Sequence, residues 1–136
     1  MQKQKTVLVI EDEKSLRDAI VDILHSKNFL TLEAKNGKEG VDLALRKHPD
    51  LILLDLIMPT MDGMTTFQKI RQNAWGKKVS IIILTNLSAT SRQLVDSALL
   101  HQSTQYLIKS DCKIYDIAAK IENILGTQIN SYEKKR

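Results

Sequence analysis

The chain has 136 residues, the length of one ordinary domain and enough to bury a core without disulfides or a structural metal. Hydrophobic residues make up 43% and charged residues 26%, a balance that excludes intrinsic disorder. The net charge of +4 does not mark a nucleic-acid surface: five of the 20 basic residues (Lys3, Lys5, Lys134, Lys135, Arg136) and Glu133 among the 16 acidic ones lie at the ends, so the body is electrically balanced and direct nucleic-acid binding is not expected.

The first five residues run straight into a strand-like segment and lack the apolar region and cleavage site of a secretory leader. The longest apolar stretches, 51–54 and 81–84, fall far short of the ~20 residues of a membrane span, so a cytoplasmic protein is expected. One cysteine, Cys112, cannot form an internal disulfide, and His25, His48 and His101 show no metal-ligand spacing.

In chain order, Thr6–Ile10 reads as a first strand and ends in Glu11-Asp12-Glu13. Leu16, Ala19, Ile20, Ile23 and Leu24 then recur at the spacing of one helical face. Leu30–Ala34 is a second strand, followed by Lys35 and the turn signal Asn36-Gly37, then a helix over 40–47. A third strand, 51–54, ends in Asp55; Asp62-Gly63 marks a turn before a helix over 64–71. A fourth strand, 79–84, is followed by Thr85 and a helix over 91–100, and a fifth, 105–108, by Lys109. Ile114, Ile117, Ala118, Ile121 and Leu125 form the face of a last helix that Gly126 stops. Such alternation predicts an α/β fold with a doubly wound parallel sheet, and the third and fourth strands, apolar throughout, are expected to be covered on both faces. Residues 127–136 read as a polar, basic tail after one domain over 1–126.

Ligands of an open parallel sheet bind beyond the carboxyl ends of its strands. At those ends the sequence places Glu11, Asp12 and Glu13, then Asp55, Thr85 and Lys109. Several carboxylates around one crevice repel unless a cation is present, and an all-oxygen set suits Mg²⁺ or Mn²⁺. The combination points to phosphoryl transfer, with a carboxylate able to become an aspartyl phosphate and Lys109 acting as a point charge on the same group. Taken singly, each residue has a plainer role. The acidic run can complement a helix dipole, with Ser15 and Asp18 as a capping box; Asp55 can precede a turn at Pro59, Thr85 can be a strand residue and Lys109 a solvated one. Their convergence on one end of one sheet favours the shared site.

These segments resemble the receiver domains of two-component response regulators. The matching runs are Val7 to Glu13, Leu51 to Pro59 with Asp62-Gly63, Ile83-Leu84-Thr85 and Tyr106-Leu107-Ile108-Lys109, and the resemblance extends from about Lys5 to Leu125. It implies a flavodoxin-like (βα)5 fold with five parallel strands in the order 2-1-3-4-5. It further implies that Asp55 is the phosphoacceptor and Asp12 a direct metal ligand, that Glu11 acts through water, and that the main-chain carbonyl of Ile57 is another ligand. Thr85 and Lys109 would hold the phosphoryl group. Tyr106 would turn inward as Thr85 is drawn in, coupling the chemistry to the face made by helix four, strand five and helix five. The donor would be a histidine kinase or phosphotransfer protein and the receiver of the signal a downstream protein or output domain, with a homodimer through that face a further possibility.

Three departures from the family pattern carry expectations of their own. Ser110 stands where a proline after a cis bond is common, and because a non-proline cis bond costs ~3–4 kcal/mol, Ser110 or Asp111 is expected to cap the last helix instead. Asn86 replaces a very small residue beside the phosphoryl site, which bears on transfer rate. Ile57 and Leu87 occupy positions that in the family tune water attack, and neither orients a water, so a long-lived phosphoryl state that Ile57→Ala shortens is expected.

The alternatives are the N-terminal receiver of a longer DNA-binding regulator, or a pseudo-receiver that signals by binding alone. An enzyme acting on external substrates is not expected: a haloacid-dehalogenase-type hydrolase needs a second Asp where Ile57 stands, and a flavin carrier needs a phosphate cradle where Glu11, Asp12 and Glu13 would repel it.

Overall fold

The computed structural model describes residues 3–56, 62–86 and 89–129, without the side chains at 89–91 and 94. Five strands, β1 (Thr6–Ile10), β2 (Leu30–Ala34), β3 (Leu51–Asp55), β4 (Ser80–Thr85) and β5 (Thr104–Ile108), alternate with helices α1 (Lys14–Ser26), α2 (Gly37–Lys47), α3 (Gly63–Gln72), α4 (Ala89–Leu99) and α5 (Ile114–Leu125). The sheet is parallel in the order β2-β1-β3-β4-β5, as the resemblance implies.

Strand side chains alternate between faces, and the apolar runs fill both. On one side Val7, Val9, Leu51, Leu53, Ile82 and Leu84 pack with Ile20 and Leu24 of α1 and Ile117 and Ile121 of α5. On the other, Leu8, Ile10, Ile52, Leu54, Ile81 and Ile83 meet Ala44 of α2, Phe67 and Ile70 of α3, and Val95 and Ala98 of α4. All five residues of β3 are buried, as expected for a central parallel strand.

The helix ends differ from the sequence expectation where a local bond decides them. Asn36 caps α2, its Oδ1 accepting from the Glu39 N–H at 2.9 Å, so the helix starts at Gly37 rather than 40. Asp62 caps α3 in the same way through the Thr65 N–H at 2.7 Å. The Ser15–Asp18 box does not form: α1 begins at Lys14, two residues too early for Ser15 to be its cap, and Asp18 instead pairs with Lys14 at 2.6 Å. Nor does Ser110 or Asp111 cap α5; both lie in a 3-10 turn with Lys109, and the Asp116 carboxylate takes the Lys113 N–H at 2.7 Å. No cis peptide bond occurs among the described residues.

At the end of the sheet away from the strand carboxyl ends, Arg71 is 4% exposed and ties three segments together. Its Nη1 donates to the carbonyls of Gly76 and Val79 at 2.8 and 2.7 Å, and its Nη2 to Thr104 Oγ1 at 2.8 Å. Burial draws its pKa down to about 10, which leaves it charged at neutral pH. Past α5, Gln128 accepts the Lys5 N–H at 2.9 Å, so the start of the tail lies against β1; residues 130–136 fall outside the described ones.

Candidate functional site

Sheet register assembles the site. Ile10 pairs with Leu54, which puts Glu11 and Asp55 side by side one step further on; Asp55 pairs with Leu84 and Thr85 with Ile108, which brings Thr85 and Lys109 to the same edge. All four strand ends that the sequence marked therefore meet. The segment after β2 supplies a helix cap there, through Asn36.

Glu11, Asp12 and Asp55 each offer a carboxylate oxygen within 4.8 Å of the others. Asp12 is exposed, whereas Glu11 and Asp55 are only 1% and 3% exposed. Between the two buried acids lies the ammonium of Lys109, 2.9 Å from Asp55 Oδ2 and 3.3 Å from Glu11 Oε1. The bond to Asp55 is a hydrogen bond; the approach to Glu11 is an ion pair by distance only, because Glu11 Oε1 has no hydrogen-bond partner among the described residues. The other oxygen, Oε2, accepts the Glu13 N–H at 3.1 Å.

Burial pulls the Lys109 pKa down, but the two carboxylates more than offset it and the net direction is up, so this ammonium stays charged. Glu11 moves the other way from an ordinary acid, from 4.5 up to about 7, chiefly through burial and then through repulsion by Asp55, with the Glu13 N–H and Lys109 opposing. One cation does not neutralise three acids. A buried carboxylate oxygen without a hydrogen bond, facing two more carboxylates, is the donor set of a hard divalent ion, so these residues fit Mg²⁺ or Mn²⁺.

The Glu11 pKa makes a pH dependence. Because the folded state holds a proton that the unfolded chain releases, its stabilising contribution is complete below 4.5 and is lost as pH rises through about 7. A divalent ion held by the ionised acid would restore what is lost. The gain in melting temperature from saturating Mg²⁺ over EDTA is therefore expected to be small at about pH 5 and larger, by on the order of 5 °C, at about pH 8. Equal gains at both would show that Glu11 does not titrate with the cation.

Thr85 is buried, and its Oγ1 donates to the Asn86 carbonyl at a long 3.3 Å. Tyr106 on β5 is 39% exposed and faces outward. Ile57, Leu87 and Pro59 lie outside the described residues. The site also contains a residue that sequence reading passed over: Arg17 of α1 donates from Nη1 to the main-chain carbonyl of Glu11 at 2.8 Å.

Gly63 keeps α3 close beneath Asp55. Its N–H donates to the Leu56 carbonyl at 2.8 Å, and a Cβ there would collide with the main chain of Asp55 and Leu56. Glycine is required by this close approach.

Residues 7–122 match the family model of the response regulator receiver domain. The nitrate/nitrite response regulator protein NarL of Escherichia coli K12 is 34% identical over 110 residues, 79% of this chain and 49% of that protein. Among solved structures, the receiver domain of the sensor histidine kinase PA1611 from Pseudomonas aeruginosa, with a magnesium ion coordinated in its active-site cleft, is 25% identical with a TM-score of 0.75, covering 92% of this chain and 100% of that one. The chemotaxis protein CheY4 of Vibrio cholerae shares the fold at 22% identity and a TM-score of 0.79, covering 90% of this chain and 99% of that one. This chain spans about half the length of NarL. No described helix is long and apolar enough to cross a membrane.

Proposed function

Because the chain belongs to the response regulator receiver domain family, we propose that it is a cytoplasmic switch that takes a phosphoryl group onto Asp55 from a histidine kinase or phosphotransfer protein. The observation that carries this reading is the Asp55–Lys109 pair at 2.9 Å, set against Glu11 and Asp12 with carboxylate oxygens within 4.8 Å. Asp55 is the nucleophile: its carboxylate oxygen bonds to phosphorus, the phosphorus–nitrogen bond of the donor histidine breaks, and the leaving imidazole keeps that electron pair and takes up a proton.

Burial strips water from the Asp55 carboxylate, and Lys109 holds its orientation. After transfer, the same ammonium pairs with a phosphoryl oxygen as a point charge. Asp12, Asp55 and, through water, Glu11 would hold Mg²⁺, which supplies charge neutralisation for the equatorial phosphoryl oxygens. The carbonyl of Ile57 completes that set in the family pattern.

The Thr85 hydroxyl exchanges its long bond to Asn86 for a phosphoryl oxygen, and Tyr106 turns from its outward position into the space this vacates. A downstream protein or output domain, or a second copy of the chain, reads the altered α4–β5–α5 face. Phosphorylation shifts the equilibrium because only one of the two states makes these contacts. The chain acts on no other substrate beyond its own phosphorylation and dephosphorylation.

Intact-mass spectrometry of the protein incubated with acetyl phosphate tests this. The gain of one phosphoryl group with Mg²⁺ and none with EDTA is expected. No gain under either condition would leave a pseudo-receiver that signals by binding alone.

A further inference from the structure

The acidic cluster stands on a loop, and its geometry needs something to hold it. Glu11 and Asp12 connect β1 to α1, and a peptide in such a connection is free to rotate unless its polar atoms are engaged. The Glu11 N–H is engaged: it donates to the Ala34 carbonyl at 3.0 Å and so extends the β1–β2 ladder by one bond. Glu11 Oε2 is engaged by the Glu13 N–H. The Glu11 carbonyl is engaged by Arg17 Nη1 at 2.8 Å.

That carbonyl belongs to the planar peptide joining Glu11 to Asp12, so a bond to its oxygen fixes the rotations on either side: the ψ of Glu11 and the φ of Asp12. Those two angles set where both carboxylates point. The Arg17 side chain is only 13% exposed, and its Nε lies 3.5 Å from Glu33 Oε1 on β2, the strand that also receives the Glu11 N–H. The guanidinium thus spans the loop and the strand beside it with donors in a fixed fork, which an ammonium cannot do.

We propose that Arg17 is a positioning residue for the acidic cluster, acting through the Glu11 carbonyl to aim the Glu11 and Asp12 carboxylates at the bound cation. The role rests on the receiver reading, and it makes a prediction opposite in sign to simple electrostatics. Removing a positive charge near a cation site strengthens cation binding if charge alone matters, and weakens it if the charge was holding the ligands in place.

Calorimetric titration with Mg²⁺ of wild type, Arg17→Met, Arg17→Lys and Glu33→Gln, with a thermal melt of each in EDTA, decides between them. Arg17→Met is expected to bind Mg²⁺ about tenfold more weakly, Arg17→Lys to recover part of the loss, and Glu33→Gln to bind as wild type, since the bond to Glu11 remains. If Arg17→Met unfolds, Arg17→Gln carries the same expectation. Unchanged or tighter Mg²⁺ binding in Arg17→Met would overturn the proposal, as would equal weakening in Glu33→Gln, which would place the effect in the tie between α1 and β2. Failure of the wild type to bind Mg²⁺ would instead bring down the receiver reading, and the proposal with it.

Discussion

Asp55→Asn takes up no phosphoryl group from acetyl phosphate at any Mg²⁺ concentration, while the fold survives. The loss is complete because an amide oxygen is too weak a nucleophile to displace a phosphoryl group, and no neighbour replaces it. Glu11 has one oxygen bound to the Glu13 N–H and the other beside Lys109, and Asp12 is exposed to water rather than buried as Asp55 is. Stability changes by only about 1 kcal/mol, since Asn fills the same volume in a 3% exposed position and its oxygen still accepts from Lys109. Mg²⁺ binding, however, weakens by tenfold or more, because one of three clustered carboxylates is gone. Intact mass after incubation, a melting curve and a Mg²⁺ titration check the three parts. A gain of mass that persists in Asp55→Asn would move the acceptor to another side chain and sink the assignment.

The parts of this protein legible in its sequence are those governed by periodicity and by strand ends. β1 and β2 have the bounds expected from the sequence. The convergence of Glu11, Asp12, Asp55 and Lys109 follows from reading a parallel sheet at all, since every strand must then point its carboxyl end the same way. Polar bonds that cross between elements were not legible. Arg17 and Arg71 look like solvated charges on amphipathic helices; only the assembled fold puts the Glu11 carbonyl in front of one and the Gly76 and Val79 carbonyls in front of the other. The caps failed for a related reason. Ser110 and Asp111 are good cap residues by type, but the turn after β5 carries the chain past them, and Asp116 reaches back to Lys113 instead. A cap depends on where the helix starts, and a shift of one or two residues changes which side chain can reach.

Lys109→Met slows phosphoryl uptake by about 10²–10³-fold, the scale of losing one donor aimed at developing charge, while Mg²⁺ binding grows tighter. The two effects separate because Lys109 faces both acids. In the unphosphorylated protein its ammonium neutralises part of the charge on Asp55 and Glu11, at 2.9 and 3.3 Å, and so competes with a divalent ion for the same carboxylates. Once it is gone, the cluster is more negative and attracts the cation more strongly. The phosphoryl group then arrives at a site whose acid is still present but whose partner on the β5 side is not. Met keeps the length and packing of the stem at a position 23% exposed, so the fold is not the reason for the loss. Arg17→Met removes the same charge from beside the Glu11 main-chain carbonyl and is expected to weaken Mg²⁺ binding instead. Two substitutions of like charge and opposite effect on one affinity distinguish a cation that competes for the acids from one that aims them. A fall in Mg²⁺ affinity in Lys109→Met would place Lys109 in the second role and remove the argument that it acts on the phosphoryl group.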